Sequence, residues 1–147
     1  MKKMILASAV LLAAFSSCKK DSEPTCDLNA TSLQGTYKLT SVKYKESAAA
    51  AEVEVFTNPS WFDACERDDT YTFASGNVFT YTDAGTSCGG SSTTTGTWSL
   101  SGSVLTLGTG GFSSSATITS FSCTAVAVKA TDVDVTGDQA IYYYTRQ

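Results

Sequence analysis

The chain has 147 residues, with ten basic and fourteen acidic side chains, no histidine and a net charge of −4. That length suits one domain, and an acidic balance without a basic cluster argues against nucleic acid and anionic lipid as partners. Threonine, serine, glycine and aromatics are plentiful while prolines number only two, the composition of a β protein.

The chain opens on Met1-Lys2-Lys3-Met4, continues through an uncharged, largely apolar run at 5–15, and reaches the small residues Ser16-Ser17 before Cys18. A basic start, a short apolar stretch and a small-residue cleavage region form the pattern of a secretory signal peptide, too short to span a bilayer. Phe15-Ser16-Ser17-Cys18 resembles a bacterial lipobox, which implies that Cys18 becomes the acylated first residue of the mature protein. Several acyl chains on one cysteine hold a domain at a membrane firmly, where a single chain binds only marginally. Cleavage would remove two lysines and keep all fourteen acids, so the mature charge would be −6. The expected organisation is a signal peptide at 1–17, a lipidated cysteine and tether at 18–25, and one folded domain at 26–147. The tether, Lys19-Lys20-Asp21-Ser22-Glu23-Pro24, resembles the surface-export tags of some Bacteroidetes lipoproteins.

Residues 28–33 suit a short helical turn leading into the first strand at 35–42. Apolar alternation there runs through Tyr37 and Leu39, then shifts phase to Val42 and Tyr44, the mark of a bulge. Residues 45–67 are the least regular. Residues 47–51 offer a helix start, Val53 and Val55 a short strand, Asn58-Pro59 a break, and Trp61-Phe62 an apolar pair of open facing. An excursion of that length suits a cover over one end of a small barrel.

Two hairpins then follow within 68–107. Tyr71 and Phe73 alternate with threonines, Ala74 to Asn77 turn the chain, and Phe79 and Tyr81 return it. Trp98 and Leu100 alternate with Thr97 and Ser99, Ser101-Gly102 turns, and Leu105 and Leu107 return. Period-two alternation bounded by glycine turns signals strands with one buried face. Residues 108–115 read as a flexible loop, 114–121 and 123–129 as a further strand pair, 131–138 as a turn region and 140–146 as a final tyrosine-rich strand. The total is eight strands, with a ninth in the excursion, joined by short turns as an antiparallel meander. The pattern Gly-Thr-aromatic-x-Leu occurs twice, at Gly35-Thr36-Tyr37 and Gly96-Thr97-Trp98, where the aromatic is expected to plug one end of the interior.

Four cysteines remain after cleavage, Cys26, Cys65, Cys88 and Cys123, and an even number in an exported domain suggests two disulfides with three possible connectivities. Zinc is disfavoured by the absence of any C-x-x-C pair and of histidine. With a turn centred near 75 and 76, antiparallel register sets position 65 opposite about 86, which pairs Cys65 with Cys88 and leaves Cys26 for Cys123.

Catalysis is hard to build from these residues. Without histidine or a free thiol the usual acid–base and nucleophile pairings are missing. Asp68 and Asp69 are strand neighbours that point to opposite faces, so they are expected to mark a strand start and keep a sheet edge soluble. Asp132, Asp134 and Asp138 beside Gly137 offer oxygens for calcium, but neither the loop spacing nor the closing glutamate is present, so a solvated acidic turn is expected. No enzyme activity, metal or cofactor is therefore expected.

The pieces Leu33-x-Gly35-Thr36-Tyr37-x-Leu39, Cys65-x-x-Asp68-Asp69-x-Tyr71-x-Phe73, Gly76-x-x-x-x-Tyr81, Cys88, Gly96-Thr97-Trp98-Ser99-Leu100 and Leu105-x-Leu107 together resemble the lipocalin-like domain lipoproteins of Bacteroidetes. The G-x-W that lipocalins often carry on their first strand reads Gly35-Thr36-Tyr37 here, and the tryptophan falls on the later copy. The resemblance implies an eight-stranded antiparallel up-and-down barrel with an interior pocket, and no assigned activity. The inward residues expected around that pocket are Tyr37, Leu39, Tyr71, Phe73, Phe79, Tyr81, Trp98, Leu100 and Leu105. The expected protein is a monomer anchored by lipid at the outer membrane, facing the periplasm or the cell surface, that binds or shields a small hydrophobic molecule. The alternative is a non-catalytic interaction module that binds through its loops.

Overall fold

A computed structural model describes residues 26–90 and 92–147. The expected signal peptide, the expected lipidation site Cys18 and the expected tether lie outside the described residues. One four-residue helix, α1 (Ala30–Leu33), precedes nine strands: β1 (Gly35–Lys45), β2 (Val53–Glu54), β3 (Thr70–Ala74), β4 (Val78–Thr82), β5 (Thr93–Ser101), β6 (Val104–Thr109), β7 (Phe112–Phe121), β8 (Ala125–Thr131) and β9 (Gln139–Arg146). Strand neighbours run β1-β3-β4-β5-β6-β7-β8-β9, all antiparallel, and β9 pairs back onto β1 from Tyr37↔Arg146 to Lys45↔Gln139. Closure leaves no free sheet edge among these eight strands, a closed up-and-down barrel. The two residues of β2 pair only with Lys43 and Tyr44, on the part of β1 that β3 does not reach.

Both central hairpins fold in the expected register, Tyr71↔Tyr81 and Phe73↔Phe79 in one, Trp98↔Leu107 and Leu100↔Leu105 in the other. The phase shift in β1 is a bulge. Leu39 faces Tyr144, Ser41 faces Tyr143, and the intervening Thr40 turns outward with its hydroxyl donating to the Tyr143 carbonyl at 3.0 Å. A second bulge, between Ile118 and Ser120 on β7, had no phase signal in the sequence.

Three expected segments differ. Residues 108–115 are not a flexible loop: β6 and β7 pair as far as Thr109↔Phe112 across Gly110-Gly111. Their φ values of 56° and 87° give the left-handed pair that a tight hairpin turn requires, which glycine adopts without steric cost. Residues 47–51 form turns rather than a helix, and β8 runs 125–131 rather than 123–129. At Gly96 an added Cβ would stand 2.1 Å from the Gly108 carbonyl oxygen, so the β5–β6 approach demands glycine there.

The closed end is built from α1 and the Gly-Thr-aromatic pair. Asn29 caps α1 by accepting from the Thr31 and Ser32 amides at 2.9 Å, while the Ser32 hydroxyl accepts from the Asn29 amide. Leu33 is thereby pressed into the barrel, fully buried. Tyr37 and Trp98 both pack edge-on against Phe73, with centroids at 5.8 and 5.5 Å. Arg146 points in at this end and lies over the Tyr37 ring, its Nη2 donating to the Ser32 carbonyl and to the Tyr37 hydroxyl.

At the opposite end the excursion covers the barrel. Val55 and Phe56 are buried against Leu39, Val42 and Ala140, Phe62 packs on Phe56, and Trp61 packs on Tyr44 with tilted rings whose centroids are 4.5 Å apart. Cys65, in the 3₁₀ turn Ala64–Arg67, is bonded to Cys88 in the loop after β4, and Cys26 is bonded to Cys123 in the β7–β8 turn. The hairpin turn centres on Gly76, so continuing the Thr70↔Thr82 register sets position 65 opposite 87, one residue from Cys88.

Both acidic features correct their sequence reading. Asp69 does not solubilise an edge. It is 1% exposed and accepts from the Tyr81 hydroxyl and the Ala84 amide, fastening β3 to the end of β4. Asp138 is not a solvated turn residue either. It is fully buried and accepts from the Val133, Asp134 and Val135 amides at 2.7–2.9 Å and from the Tyr44 hydroxyl at 3.0 Å. Those donors already fill the oxygens that a calcium ion would need.

Burial raises the Asp138 carboxyl pKa, but the three amides and the Tyr44 hydroxyl more than offset it and hold the group below its ordinary range. Glu54, which accepts from the Ser41 hydroxyl and the Val42 and Phe56 amides, is lowered in the same way. A depressed folded pKa contributes stability above the unfolded value and loses it as pH falls through the folded one. Asp138→Asn should therefore destabilise the protein at pH 7, and its gap to the unmodified protein in urea melts should narrow below about pH 4. A gap independent of pH would mean that the charge of Asp138 contributes nothing.

Candidate functional site

The barrel interior is unevenly filled. On β3, β4 and β5 the inward positions carry Tyr71, Phe73, Phe79, Tyr81 and Trp98, whereas β7 and β8 place Ser114, Ala116, Val126, Val128 and Ala130 across from them. Large side chains on one arc and small ones on the other leave a cavity of about 180 Å³. An apolar cavity of about 150 Å³ is enough to stay dry and take a benzene-sized guest.

Of the nine expected pocket residues, Tyr71, Phe73 and Leu105 line this cavity. Tyr37, Phe79 and Trp98 belong to the main packed cluster, Tyr81 and Leu100 pack against it, and Leu39 belongs to the cluster beneath the excursion. Leu33, Leu107, Tyr142, Tyr144 and the small residues of β7 and β8 complete the wall. Aromatic content drew attention to the filled arc. The readable signal for the empty one was the recurrence of Ser, Ala and Val at alternate positions of two successive strands.

Three tyrosines and Ser114 give the cavity its polar character. Tyr71 packs edge-on against Tyr144 at 5.2 Å, and Tyr142 follows on the same face of β9. Among the described residues no hydrogen-bond partner meets the hydroxyls of Tyr71, Tyr142 or Tyr144, and each of the three keeps accessible surface and so is free to donate to a guest or to water. Burial first, then the charges of Asp69 and Glu66, push the Tyr71 hydroxyl up to about 12. Burial and then Asp138 raise Tyr142, and burial followed by its tyrosine neighbours raises Tyr144 well above the usual phenol range. All three remain protonated donors at any physiological pH. The arrangement can orient a small apolar guest through one polar atom, and it holds no nucleophile–base pair.

The profile of a family described as a lipocalin-like domain matches residues 33–125, from the end of α1 to the start of β8. No curated protein matches the chain. Among solved structures, a lipocalin-like protein from Bacteroides uniformis superposes with a TM-score of 0.47 at 14% identity, over 76% of this chain and 96% of that one.

Proposed function

Because the chain belongs to the lipocalin-like domain family, we propose that it is a membrane-anchored lipoprotein whose barrel binds or shields a small hydrophobic molecule in the cell envelope. The lipocalin-like barrel supports a ligand-binding or carrier-type module. The observation that carries the finer reading is the apolar cavity of about 180 Å³ with Tyr71, Tyr142 and Tyr144 in its wall, whose hydroxyls have no partner among the described residues. The protein acts by binding rather than by catalysis, as a monomer, held at the outer membrane through Cys18 and facing the periplasm or the cell surface.

Native mass spectrometry of protein purified from its own host tests the central point, with a co-purifying small molecule expected. Ala116→Phe, which grows a ring into the space, should abolish that molecule at an overpacking cost of about 1–3 kcal/mol. A ligand retained undiminished by the filled barrel would place binding elsewhere. For the anchor, Cys18→Ala should move the protein from the membrane fraction to the soluble one; unchanged membrane association would sink the lipoprotein assignment.

The second reading, an interaction module, is favoured by one surface. No charged residue occurs between 84 and 128, and the outer face of β5–β7 presents threonine, serine and glycine beside Phe112, which is 84% exposed. An exposed aromatic on an uncharged sheet face suits contact with another macromolecule.

A further inference from the structure

We propose that the cavity selects neutral apolar molecules carrying a single hydrogen-bond-accepting oxygen, such as an alcohol or a ketone, and rejects carboxylates of the same length. This rests on the ligand-binding reading above and adds the chemical class of the ligand. The walls offer hydroxyl donors at Tyr71, Tyr142, Tyr144 and Ser114 but no lysine or arginine. None of the six cations among the described residues lines the cavity. Arg146 points in at the closed end, where its Nη2 donates to the Ser32 carbonyl and the Tyr37 hydroxyl and its guanidinium lies over the Tyr37 ring; its buried Nε has no acceptor, and the side chain does not reach the cavity wall. Arg67 donates to the Thr57 and Phe62 carbonyls within the excursion. Lys43, Lys45 and Lys129 line an outer groove with Glu52 and Gln139, and Lys38 stands one residue from the inward Tyr37 on the outward phase of β1.

Behind that wall stand carboxylates: Asp69 accepts from the hydroxyl of Tyr81, whose ring lies 5.5 Å from that of Tyr71, and Asp138 is buried just before the strand that carries Tyr142. Asp69 and Glu66 act on Tyr71, and Asp138 acts on Tyr142. A ligand carboxylate would be desolvated without a counter-charge and would sit in a field of its own sign, a heavy penalty in a low-dielectric site. A neutral oxygen escapes that penalty and still accepts from a tyrosine hydroxyl.

The test is isothermal titration of the purified protein at pH 7 with 1-octanol and, separately, with octanoate. Octanol is expected to bind at least about tenfold more tightly, since burying an unpaired charge costs far more than burying a hydroxyl that keeps its hydrogen bond. Tyr144→Phe should weaken octanol by about three- to tenfold and leave octane unchanged, the loss expected for one hydrogen bond. Octanoate binding as tightly as octanol, or more so, would overturn the selectivity while leaving the ligand-binding reading intact. Failure of octanol, octane and octanoate alike would overturn that reading and the selectivity with it.

Discussion

Trp98→Ala is expected to lower the unfolding free energy by about 3–5 kcal/mol, the range for truncating a buried large aromatic. Trp98 is 2% exposed, lies edge-on to Phe73, and belongs to the cluster that also holds Tyr37, Phe79, Leu105 and Ile118. Its indole Nε1 donates to the Ala74 carbonyl at 2.9 Å, tying β5 to the end of β3 across the β3–β4 turn. Alanine would remove the ring and leave that carbonyl without its donor. Trp98→Phe separates the two effects: it keeps most of the volume and loses the hydrogen bond, for about 1 kcal/mol from that source. Urea unfolding followed by far-ultraviolet circular dichroism reads both variants, since tryptophan fluorescence would then come only from Trp61 in the excursion. An alanine variant as stable as the parent would mean that the closed end is held by α1 and Arg146 alone.

Why such features were legible follows from their range in sequence. The hairpins at 70–82 and 93–109 are local: period-two alternation and a glycine turn specify the pairing, and every contact that fixes register lies within the same forty residues. The β1 bulge was legible for the same reason, because inserting one residue reverses the apolar phase at Leu39 and Val42. The buried carboxylates were not. Asp138 is buried because Tyr44, at the far end of the chain, reaches its Oδ2 and because the 132–138 turn folds its amides inward. Composition alone assigns an acidic turn to solvent. Gly110-Gly111 misled in the opposite sense, since a glycine–serine run that reads as a linker also satisfies the tightest hairpin turn.

The cavity was half legible. Reading aromatics identifies the filled arc, because large side chains announce burial. An internal space is defined by what is small, and Ala116, Ala130 and Ser114 carry no such signal until strand order sets them opposite Tyr71 and Phe73. The same logic explains why Tyr142 and Tyr144 were recognised only as members of a tyrosine-rich strand. Their facing depends on the β1–β9 closure, which joins the first strand to the last.

Replacing Cys26 and Cys123 together by serine is expected to cost about 4.7 kcal/mol, the chain-entropy value for a loop of about a hundred residues. The bridge spans a sequence separation of 97, against 23 for Cys65–Cys88, whose removal should cost about 3.4 kcal/mol on the same scale. For a domain with an unfolding free energy of about 5–15 kcal/mol, the longer bridge is a large fraction of the total. Its place in the fold gives the loss a second consequence. Cys26 sits just ahead of α1, so cutting the bridge unfastens the segment that presses Leu33 into the cavity's closed end, leaving the Asn29 cap, the Arg146–Ser32 contact and the Tyr37 hydroxyl on the Leu33 carbonyl to hold it. Urea midpoints of the two double-serine variants should therefore rank with the Cys26/Cys123 pair lower. Hydrogen exchange should show the α1 amides losing protection in that variant and not in the other. Equal midpoints, or the reverse order with α1 still protected, would mean that the closed end is held by packing and that the long loop contributes no more than the short one.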